Sequence, residues 1–174
     1  RGRNYKIKST IVFTDQMQLL MTGLTAVTPD MSASPQDPSV FQIEGEPFGI
    51  SGGVINIPPD YNGWVFDVAI DRDAQGNDHN PRFASTISNV IVKGYLHGQS
   101  DFSGIGYNCI RVKSWEEDDY TYFSVMENVD FYRPDTAIYL AGHPTSGMSN
   151  SWHWNNITVD WTMHGIVLNE KAAG

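Results

Sequence analysis

Cysteine is almost absent from this chain of 174 residues. Its single cysteine, Cys109, can form no internal disulfide, which excludes the disulfide-rich scaffolds of small secreted proteins. Cys109 stands in the apolar stretch Tyr107-Asn108-Cys109-Ile110, so we predict a small core residue rather than a nucleophile. Long apolar runs are absent too, since none approaches the roughly 20 residues that a membrane-spanning helix needs. We therefore expect no membrane insertion.

Charged residues are also scarce, at 18% of the chain, whereas hydrophobic residues make up 40%. Together with 16 glycines and 9 prolines, this composition favours strands and turns over helices. The formal charge is −9, and the basic residues are scattered singly along the sequence. Because nucleic-acid binding depends on Lys and Arg that neutralise phosphates, we predict no nucleic-acid partner. An acidic surface of this kind otherwise serves solubility.

One strand motif returns along the chain. In three of its four copies, Asn89, Asn128 or Asn156 precedes an alternating apolar pair. Asn tolerates left-handed backbone and can hydrogen-bond to an equivalent Asn in a stacked copy, so we predict a column of Asn side chains at a bend. We align the copies on the first residue of each apolar pair, which is Ile55, Val90, Val129 or Ile157.

Each copy of the motif is followed by a second alternating strand. Because the units keep their internal order, as stacked repeats require, we predict an all-β fold, a right-handed parallel β-helix that is a segment of a longer solenoid. Short alternating strands also form antiparallel sandwiches, which leaves the sandwich as the alternative. The second strands are Phe66-Asp67-Val68, Ile110-Arg111-Val112, Ile138-Tyr139-Leu140 and Ile166-Val167-Leu168.

The chain is predicted to form one domain over residues 1–174, with long loops around 28–38, 71–82 and 95–103. The strand pattern resumes after each loop, so none of them marks a domain boundary. Neither end of the sequence supplies an obvious cap for an open solenoid. We therefore expect neighbouring sequence at both ends, or further subunits.

Three segments resemble the pectate-lyase-like superfamily of parallel β-helices, in particular the tailspike and capsule-depolymerase proteins of bacteriophages. The segments are Tyr5-Lys6-Ile7-Lys8-Ser9-Thr10-Ile11-Val12, Ile87-Ser88-Asn89-Val90-Ile91-Val92-Lys93-Gly94 and His164-Gly165-Ile166-Val167-Leu168. The Gly-rich opening strand that usually precedes the first segment in such proteins is missing here.

The resemblance implies a protein that cleaves a bacterial surface or acidic polysaccharide, as a lyase or a glycoside hydrolase. It also implies an extracellular or virion-tail location, and a homotrimer or larger assembly. Similar scaffolds serve as non-catalytic adhesins and as structural parts of spikes, so the fold alone does not decide the activity. A non-catalytic glycan-binding or structural spike segment is therefore the alternative.

Outward-facing residues of stacked strands form columns, because side chains alternate between the two faces of a strand. We predict one column of Asp67, Arg111, Tyr139 and Val167, and a second of Asn56, Ile91, Asp130 and Thr158. Asp67 beside Arg111 is either a catalytic carboxylate next to a cation or a surface ion pair worth about 0–1 kcal/mol. Asp67, Arg111 and Asp130 are candidate catalytic residues on these columns.

An acidic run, Glu116-Glu117-Asp118-Asp119, lies between aromatic residues. Glycoside hydrolases use two carboxylates about 5–5.5 Å apart in retaining enzymes and about 6.5–9.5 Å apart in inverting ones, so Glu116 and Glu117 are further catalytic candidates. The alternative interpretation is that this acidic run is a solvated loop without a catalytic role. Aromatic faces pack against sugar rings, and His97 and His143 stand at strand exits where they could carry protons. The candidate substrate-binding residues are Trp115, Tyr120, Tyr122, Tyr139, His97 and His143.

No cofactor is predicted. A pair of His residues spaced for zinc on a helix is missing from the sequence. The only dense acidic patch near the Asp67–Arg111 pair is Asp71, Asp73 and Asp78, whose spacing does not match an EF-hand. These three residues are the one candidate calcium site.

Overall fold

A computed structural model describes most of the chain, and every regular element in the described residues is a β-strand. The strands form sheets in which each pairing is parallel. The predicted all-β class is therefore confirmed. The described residues are 3–14, 17–22, 25–30, 38–45, 47–68, 85–94, 107–113, 120–121, 125–141, 148–149, 153–160 and 162–169.

The strands are short and follow one another at regular intervals. In chain order they are β1 (Arg3–Ile7), β2 (Ile11–Phe13), β3 (Gln18–Leu20), β4 (Thr25–Pro29), β5 (Ser39–Ile43), β6 (Gly49–Ser51), β7 (Val54–Asn56), β8 (Trp64–Val68), β9 (Thr86–Ser88), β10 (Ile91–Lys93), β11 (Asn108–Lys113), β12 (Tyr120–Thr121), β13 (Val125–Tyr132), β14 (Thr136–Ala141), β15 (Met148–Ser149), β16 (His153–Asp160) and β17 (His164–Asn169).

A six-stranded sheet has the order β17-β14-β11-β8-β5-β2. Its inward positions are apolar and stand in register, so that Phe41 faces Phe66, and Phe66 faces Ile110. The rings of Phe41 and Phe66 are stacked with centroids 5.6 Å apart. All three side chains are fully buried, and each contributes roughly 1.5–3 kcal/mol by leaving water. Stacked columns of this kind form the core.

A nine-stranded sheet consists of two columns that merge. One runs β1-β4-β7-β10-β13 and the other β3-β6-β9-β13, while β16 pairs with β13 beyond both. The long strands β13 and β16 pass through both columns, which makes the two a single sheet. Inward residues such as Ile87, Val92 and Phe131 are fully buried in it. A separate two-stranded sheet pairs β12 with β15.

A bend separates the two columns of the nine-stranded sheet, and in four repeats it contains residues with a positive φ. These residues are Gly52 and Gly53 (both 78°), Asn89 (56°), Asn128 (52°) and Asn156 (53°). Asn128 Nδ2 donates to Asn89 Oδ1 at 3.2 Å, and Asn156 Nδ2 donates to Asn128 Oδ1 at 2.8 Å. The predicted Asn column is therefore confirmed. Asn is favoured because its short polar side chain tolerates left-handed backbone and bonds along the stack.

The register of the first repeat differs from the sequence alignment. Ile55 faces Val92 rather than Val90, and Val54, not Asn56, faces Ile91. The reason is that Gly52 and Gly53 occupy the bend, which shifts the first repeat by two residues relative to the alignment. A shift of two keeps every side chain on its predicted face, because the strand period is two. The inward assignment of Ile55 is therefore right although its predicted neighbour is wrong.

The predicted loops lie largely outside the described residues. The loop around 28–38 begins later than expected, because Thr28 and Pro29 belong to β4. The loops around 71–82 and 95–103 fall outside the described residues. The single domain over residues 1–174 stays a prediction.

Cys109 is fully buried in the core, as predicted. Burial raises the pKa of its thiol well above the usual range, which leaves it a small apolar residue rather than a nucleophile. Beside it, the Tyr107 hydroxyl donates to the Tyr132 carbonyl oxygen at 2.5 Å. Gly94 makes room for the Tyr107 ring, since a Cβ there would lie 2.4 Å from Tyr107 Cε1.

Candidate functional site

Asp67 and Arg111 meet on the outward face of the six-stranded sheet, as predicted. They are direct register partners on β8 and β11. Arg111 Nε donates to Asp67 Oδ1 at 2.8 Å, and Arg111 Nη2 donates to Asp67 Oδ2 at 2.5 Å. The side chains are only 9% (Asp67) and 11% (Arg111) exposed. The expectation of a surface ion pair is therefore wrong: this is a bidentate pair withdrawn from water, whose two charges depend on each other.

Two aromatic side chains complete this group. The Arg111 guanidinium carbon lies 5.0 Å from the centroid of the Trp64 ring, a cation–π distance. The Trp64 ring lies 5.8 Å from the Tyr139 ring at an interplanar angle of 56°, and Tyr139 is the register partner of Arg111. We call Trp64, Asp67, Arg111 and Tyr139 the Arg111 cluster.

The geometry of the Arg111 cluster favours a structural role. Both carboxylate oxygens of Asp67 accept from one guanidinium, and the guanidinium lies against Trp64, which is itself 8% exposed. A substrate proton would have to reach a buried carboxylate already bonded on both oxygens. The cluster can position and stiffen the wall, and its member Tyr139 is half-buried.

Asp130 lies elsewhere, on the nine-stranded sheet. Its register partners are Ile91 and Thr158, so three members of its predicted column are confirmed and Asn56 is replaced by Val54. Val129 and Phe131 on either side of it are fully buried, which directs Asp130 outward. Asp130 therefore does not join Asp67 and Arg111 in one site.

A second carboxylate that the sequence analysis missed stands close to Asp130. Asp160 ends β16 and pairs with Tyr132, which in turn pairs with Lys93. Asp160 stands two residues beyond the register partner of Asp130, on the same face, so strand spacing and rise place their Cα atoms ~8 Å apart. We call Lys93, Asp130, Tyr132 and Asp160 the Asp130 wall.

The Asp130 wall is open and its charges are unpaired. Lys93 is exposed, and the other three residues are half-buried. Among the described residues, neither Asp130 nor Asp160 forms an ion pair or a side-chain hydrogen bond. Sequence reasoning missed Asp160 because each predicted column contained only the outward residue between two apolar residues, whereas Asp160 follows the second apolar residue, Val159. The signal was nevertheless present, since Tyr132 and Asp160 each follow a column member by two residues.

Most of the other predicted site residues fall on parts of the chain that the structure does not describe. Tyr120 begins β12, which pairs with β15, but its side chain is not described. The remaining predictions lie outside the described residues: the candidate catalytic residues Glu116 and Glu117, the candidate binding residues Trp115, Tyr122, His97 and His143, and the candidate calcium ligands Asp71, Asp73 and Asp78.

Within the described ranges, no group of three or more His, Cys, Asp or Glu side chains could hold a metal ion. The same ranges contain no helix with the length and apolar character that crossing a membrane requires. Neither observation bears on the loops where the calcium prediction lies.

Comparison with known proteins gives no relative to reason from. No protein-family model, no curated protein and no solved structure matches this chain. The residues that bear on function are therefore the Arg111 cluster and the Asp130 wall.

Proposed function

We propose that this chain is a segment of a right-handed parallel β-helix, similar to the pectate-lyase-like proteins, that binds and cleaves a polysaccharide by glycoside hydrolysis on its Asp130 wall. The order of pairing supports the β-helix. Successive repeats return to the same three columns in the same order, as in β6, β7, β8 and then β9, β10, β11, while β13 and β16 each span two of these columns before β14 and β17. Parallel strands that return in constant order to the same columns are what stacked solenoid repeats produce.

The observation that carries the proposed activity is the placement of Asp130 and Asp160 on one accessible face. In an inverting glycosidase the two carboxyl groups lie about 6.5–9.5 Å apart and hold a water between acid and base. Two aspartates that project from one face with Cα atoms ~8 Å apart can place their carboxyl groups at such a separation. Neither carboxylate is committed to another described residue. They are therefore free to exchange protons with a glycosidic oxygen and a water.

Tyr132 and Lys93 fit a glycan at the same place. Tyr132 is the register partner of Asp160 and follows Asp130 by two residues, so it neighbours both carboxylates, and its ring can pack against the apolar face of a sugar. Lys93, directly across from Tyr132, can attract a uronate carboxylate. These two residues favour an acidic bacterial polysaccharide as the substrate. The resemblance to tailspike proteins, and no observation on this wall, adds an extracellular or virion-tail setting and a trimeric or larger assembly to the proposal.

A second candidate function is glycan binding without catalysis, or a purely structural spike segment. The Arg111 cluster favours it, because the most strongly interacting charges of the described chain are buried and paired with each other. In this alternative the Asp130 wall holds a glycan without breaking it.

The test is incubation of the chain with a panel of acidic and neutral bacterial polysaccharides. Reducing ends and ultraviolet absorbance are followed, because only a lyase forms an unsaturated uronate. New reducing ends without ultraviolet absorbance support the proposal, whereas a rise in absorbance assigns a lyase instead. Binding in affinity electrophoresis without cleavage supports the second candidate. If the chain neither bound nor cleaved any member of the panel, both glycan functions would be rejected and only the structural spike segment would be left.

A further inference from the structure

The Asp130 wall continues along the nine-stranded sheet through three further strands, β10, β7 and β4. On each of these strands two residues point outward, because the residue between them is buried in the core. We call these six outward residues the Lys93 strip. They are Ile91 and Lys93 on β10, Val54 and Asn56 on β7, and Ala26 and Thr28 on β4. Lys93 belongs to both the wall and the strip.

The strand register joins the strip to the two carboxylates in two lines. The first line runs Ala26, Val54, Ile91 and then Asp130. The second line runs Thr28, Asn56, Lys93, Tyr132 and then Asp160, with Thr28 and Asn56 directly following the pair of Val27 and Ile55. Since neighbouring strands lie ~4.8 Å apart, β4 lies ~14 Å from β13. A glycan that crosses both carboxylates along the sheet therefore passes over the strip.

The two lines of the strip differ in chemistry. The first presents the aliphatic side chains of Ala26, Val54 and Ile91, which are half-buried and hence partly open to solvent. The second presents a hydroxyl, an amide and an ammonium group. A pyranose ring likewise has an apolar C–H face and polar substituents at its edge, and its length along a glycan is similar to the spacing of the strands. Each strand can therefore give one sugar an apolar surface and a polar partner.

Lys93 is the only charged residue of the strip, and its ammonium group is available. The side chain is exposed, and among the described residues it forms no ion pair or side-chain hydrogen bond. Asn56 likewise has no side-chain partner within the described ranges, and its amide can both donate to and accept from a neutral sugar hydroxyl. The strip therefore offers one site for an anion beside sites for neutral sugars.

The charges next to the strip limit where a second anion could bind. On one side, Asp130 and Asp160 repel a carboxylate that lies over their own strands, since like charges brought together are unfavourable. On the other side, Lys6 continues the second line, but its ammonium lies 3.4 Å from a carboxylate oxygen of Asp30. A glycan carboxylate is thus favoured at Lys93 and has no cation of its own at the neighbouring positions of the described sheet.

We propose that the Lys93 strip binds a heteropolysaccharide lengthwise, with a uronate over Lys93 and neutral sugars over Asn56, over Thr28 and at the bond that is cut. This inference rests on the proposed function, because it specifies which acidic polysaccharide the Asp130 wall takes. A polymer of uronates alone would bring a second carboxylate over Asn56, where it would have to share Lys93, and a third one beside Asp130.

Affinity electrophoresis with polysaccharides of known composition tests this specificity. Every chain carries Asp130→Asn, so that no glycan is cut during the measurement. In gellan, xanthan and colanic acid, neutral sugars separate the uronates, and at least one of these should retard the chain more strongly than polygalacturonate, alginate or dextran. If polygalacturonate, alginate or dextran binds as tightly, this inference is overturned while the proposed function stands. If none of the six polysaccharides binds, both are rejected.

Lys93→Met removes the charge and keeps most of the aliphatic stem. It should weaken binding of the retarding heteropolysaccharide about two- to fivefold, the range of an exposed charge pair, and leave binding of the carboxyl-reduced form of that glycan unchanged. Lys8→Met, which removes an exposed lysine outside the strip, is the matched control and should bind like the Asp130→Asn chain. Equal weakening with both forms of the glycan would mean that Lys93 does not recognise the uronate, which overturns the assignment.

Asn56→Lys tests the neutral position by adding a cation there. It should tighten binding of polygalacturonate about two- to fivefold, because a second carboxylate gains a partner. Asn62→Lys, at an exposed asparagine outside the strip, controls for the change in overall charge and should not tighten it. Circular dichroism checks that all variants fold. If the two lysine variants bind polygalacturonate equally, the glycan does not pass over Asn56 and its lengthwise placement is wrong.

Discussion

The outward faces of the two larger sheets both carry carboxylates, and they differ in how those carboxylates are held. On the six-stranded sheet, Asp67 is buried and bonded on both oxygens by Arg111. On the nine-stranded sheet, Asp130 and Asp160 are half-buried and have no partner among the described residues. Both sets lie on parallel strands at outward positions, so strand geometry does not distinguish them.

This difference distinguishes carboxylates that stabilise the fold from carboxylates that are available for binding or catalysis. A charge that is buried and fully paired has its solvation replaced by its partner, so removing that partner is costly. A charge that is partly exposed and unpaired contributes little to stability and remains able to bind or to transfer a proton. The Arg111 cluster should therefore matter for folding, and the Asp130 wall for function.

The largest expected effect is on cleavage of a polysaccharide that the unaltered chain hydrolyses. Asp130→Asn and Asp160→Asn should each lower kcat by about 10²–10⁴-fold, because a positioned acid or base contributes that much. Initial rates of reducing-end release measure the loss. Binding of the same glycan should persist, since the amide keeps the shape of the side chain.

The matched control for these variants is Asp60→Asn, which removes an exposed carboxylate that is not a member of the Asp130 wall. It should leave both rate and stability unchanged. If Asp67→Asn abolished cleavage in a chain that remained folded while Asp130→Asn did not, the assignment of the two walls would be reversed.

The next largest effect is on stability, and it falls on the other wall. Arg111→Met should lower the free energy of unfolding by about 3–5 kcal/mol, because it leaves the Asp67 carboxylate buried without its cation. The loss is reinforced because Arg111 also takes part in further interactions. Urea denaturation followed by circular dichroism measures it.

A double substitution sharpens this result. Asp67→Leu combined with Arg111→Met removes both charges and should recover much of the lost stability, since buried pairs can often be replaced by apolar residues at little cost. Asp130→Asn should change the unfolding free energy by less than about 0.5 kcal/mol, as surface substitutions usually do. A double variant as unstable as Arg111→Met would show that the ion pair itself is not what stabilises this wall.

A smaller effect is expected at the bend that precedes the Asp130 wall. Asn128→Ala should cost about 1–2 kcal/mol, because alanine at a φ of 52° pays the left-handed penalty of a residue with a Cβ and loses the amide bonds to Asn89 and Asn156. Asn128→Gly keeps the backbone freedom and should cost less. Equal losses in the two variants would place the whole effect in the amide bonds.

The parts of the fold that could be predicted from the sequence are those governed by local rules. Alternation placed Phe66 and Ile110 inward and Asp67 and Arg111 side by side, and the recurrence of Asn89, Asn128 and Asn156 predicted the ladder. These features follow from the two-residue period of side chains along a strand and from the tolerance of Asn for left-handed backbone.

The remaining features depend on the register between repeats and on what buries each residue. Neither can be read from the sequence of a single repeat. Gly52 and Gly53 stand where later repeats have Asn and an apolar residue, so the first repeat was aligned two residues out of place and Asn56 was assigned to the column of Asp130. The burial of Asp67 and Arg111 was missed for another reason. Outward residues of a strand are exposed only where nothing lies over them, and the pattern of one strand does not say what covers it.

The smallest expected effect is on the pH dependence of the free energy of unfolding. It compares Tyr107 in the core with Tyr132 on the Asp130 wall. Burial, and secondarily the neighbouring Cys109, raises the pKa of Tyr107 far above its usual value. The folded state therefore holds the phenol proton more tightly than the unfolded state, whose tyrosine titrates near pH ~10. The resulting stability is fully present below that pH and is lost as the pH rises from there toward the folded-state pKa.

Tyr107→Phe should lower the unfolding free energy by about 0.5–1.5 kcal/mol at neutral pH, because it removes the hydrogen bond to the Tyr132 carbonyl oxygen. It should also flatten the decline in stability above pH ~10, since the variant has no phenol to ionise at that position. Tyr132→Phe, whose ring lies on the open wall, should leave that decline as it is in the unaltered chain. Urea unfolding midpoints measured at several pH values check this. An alkaline decline that persists unchanged in Tyr107→Phe would mean that another buried group, such as the Cys109 thiol, controls it.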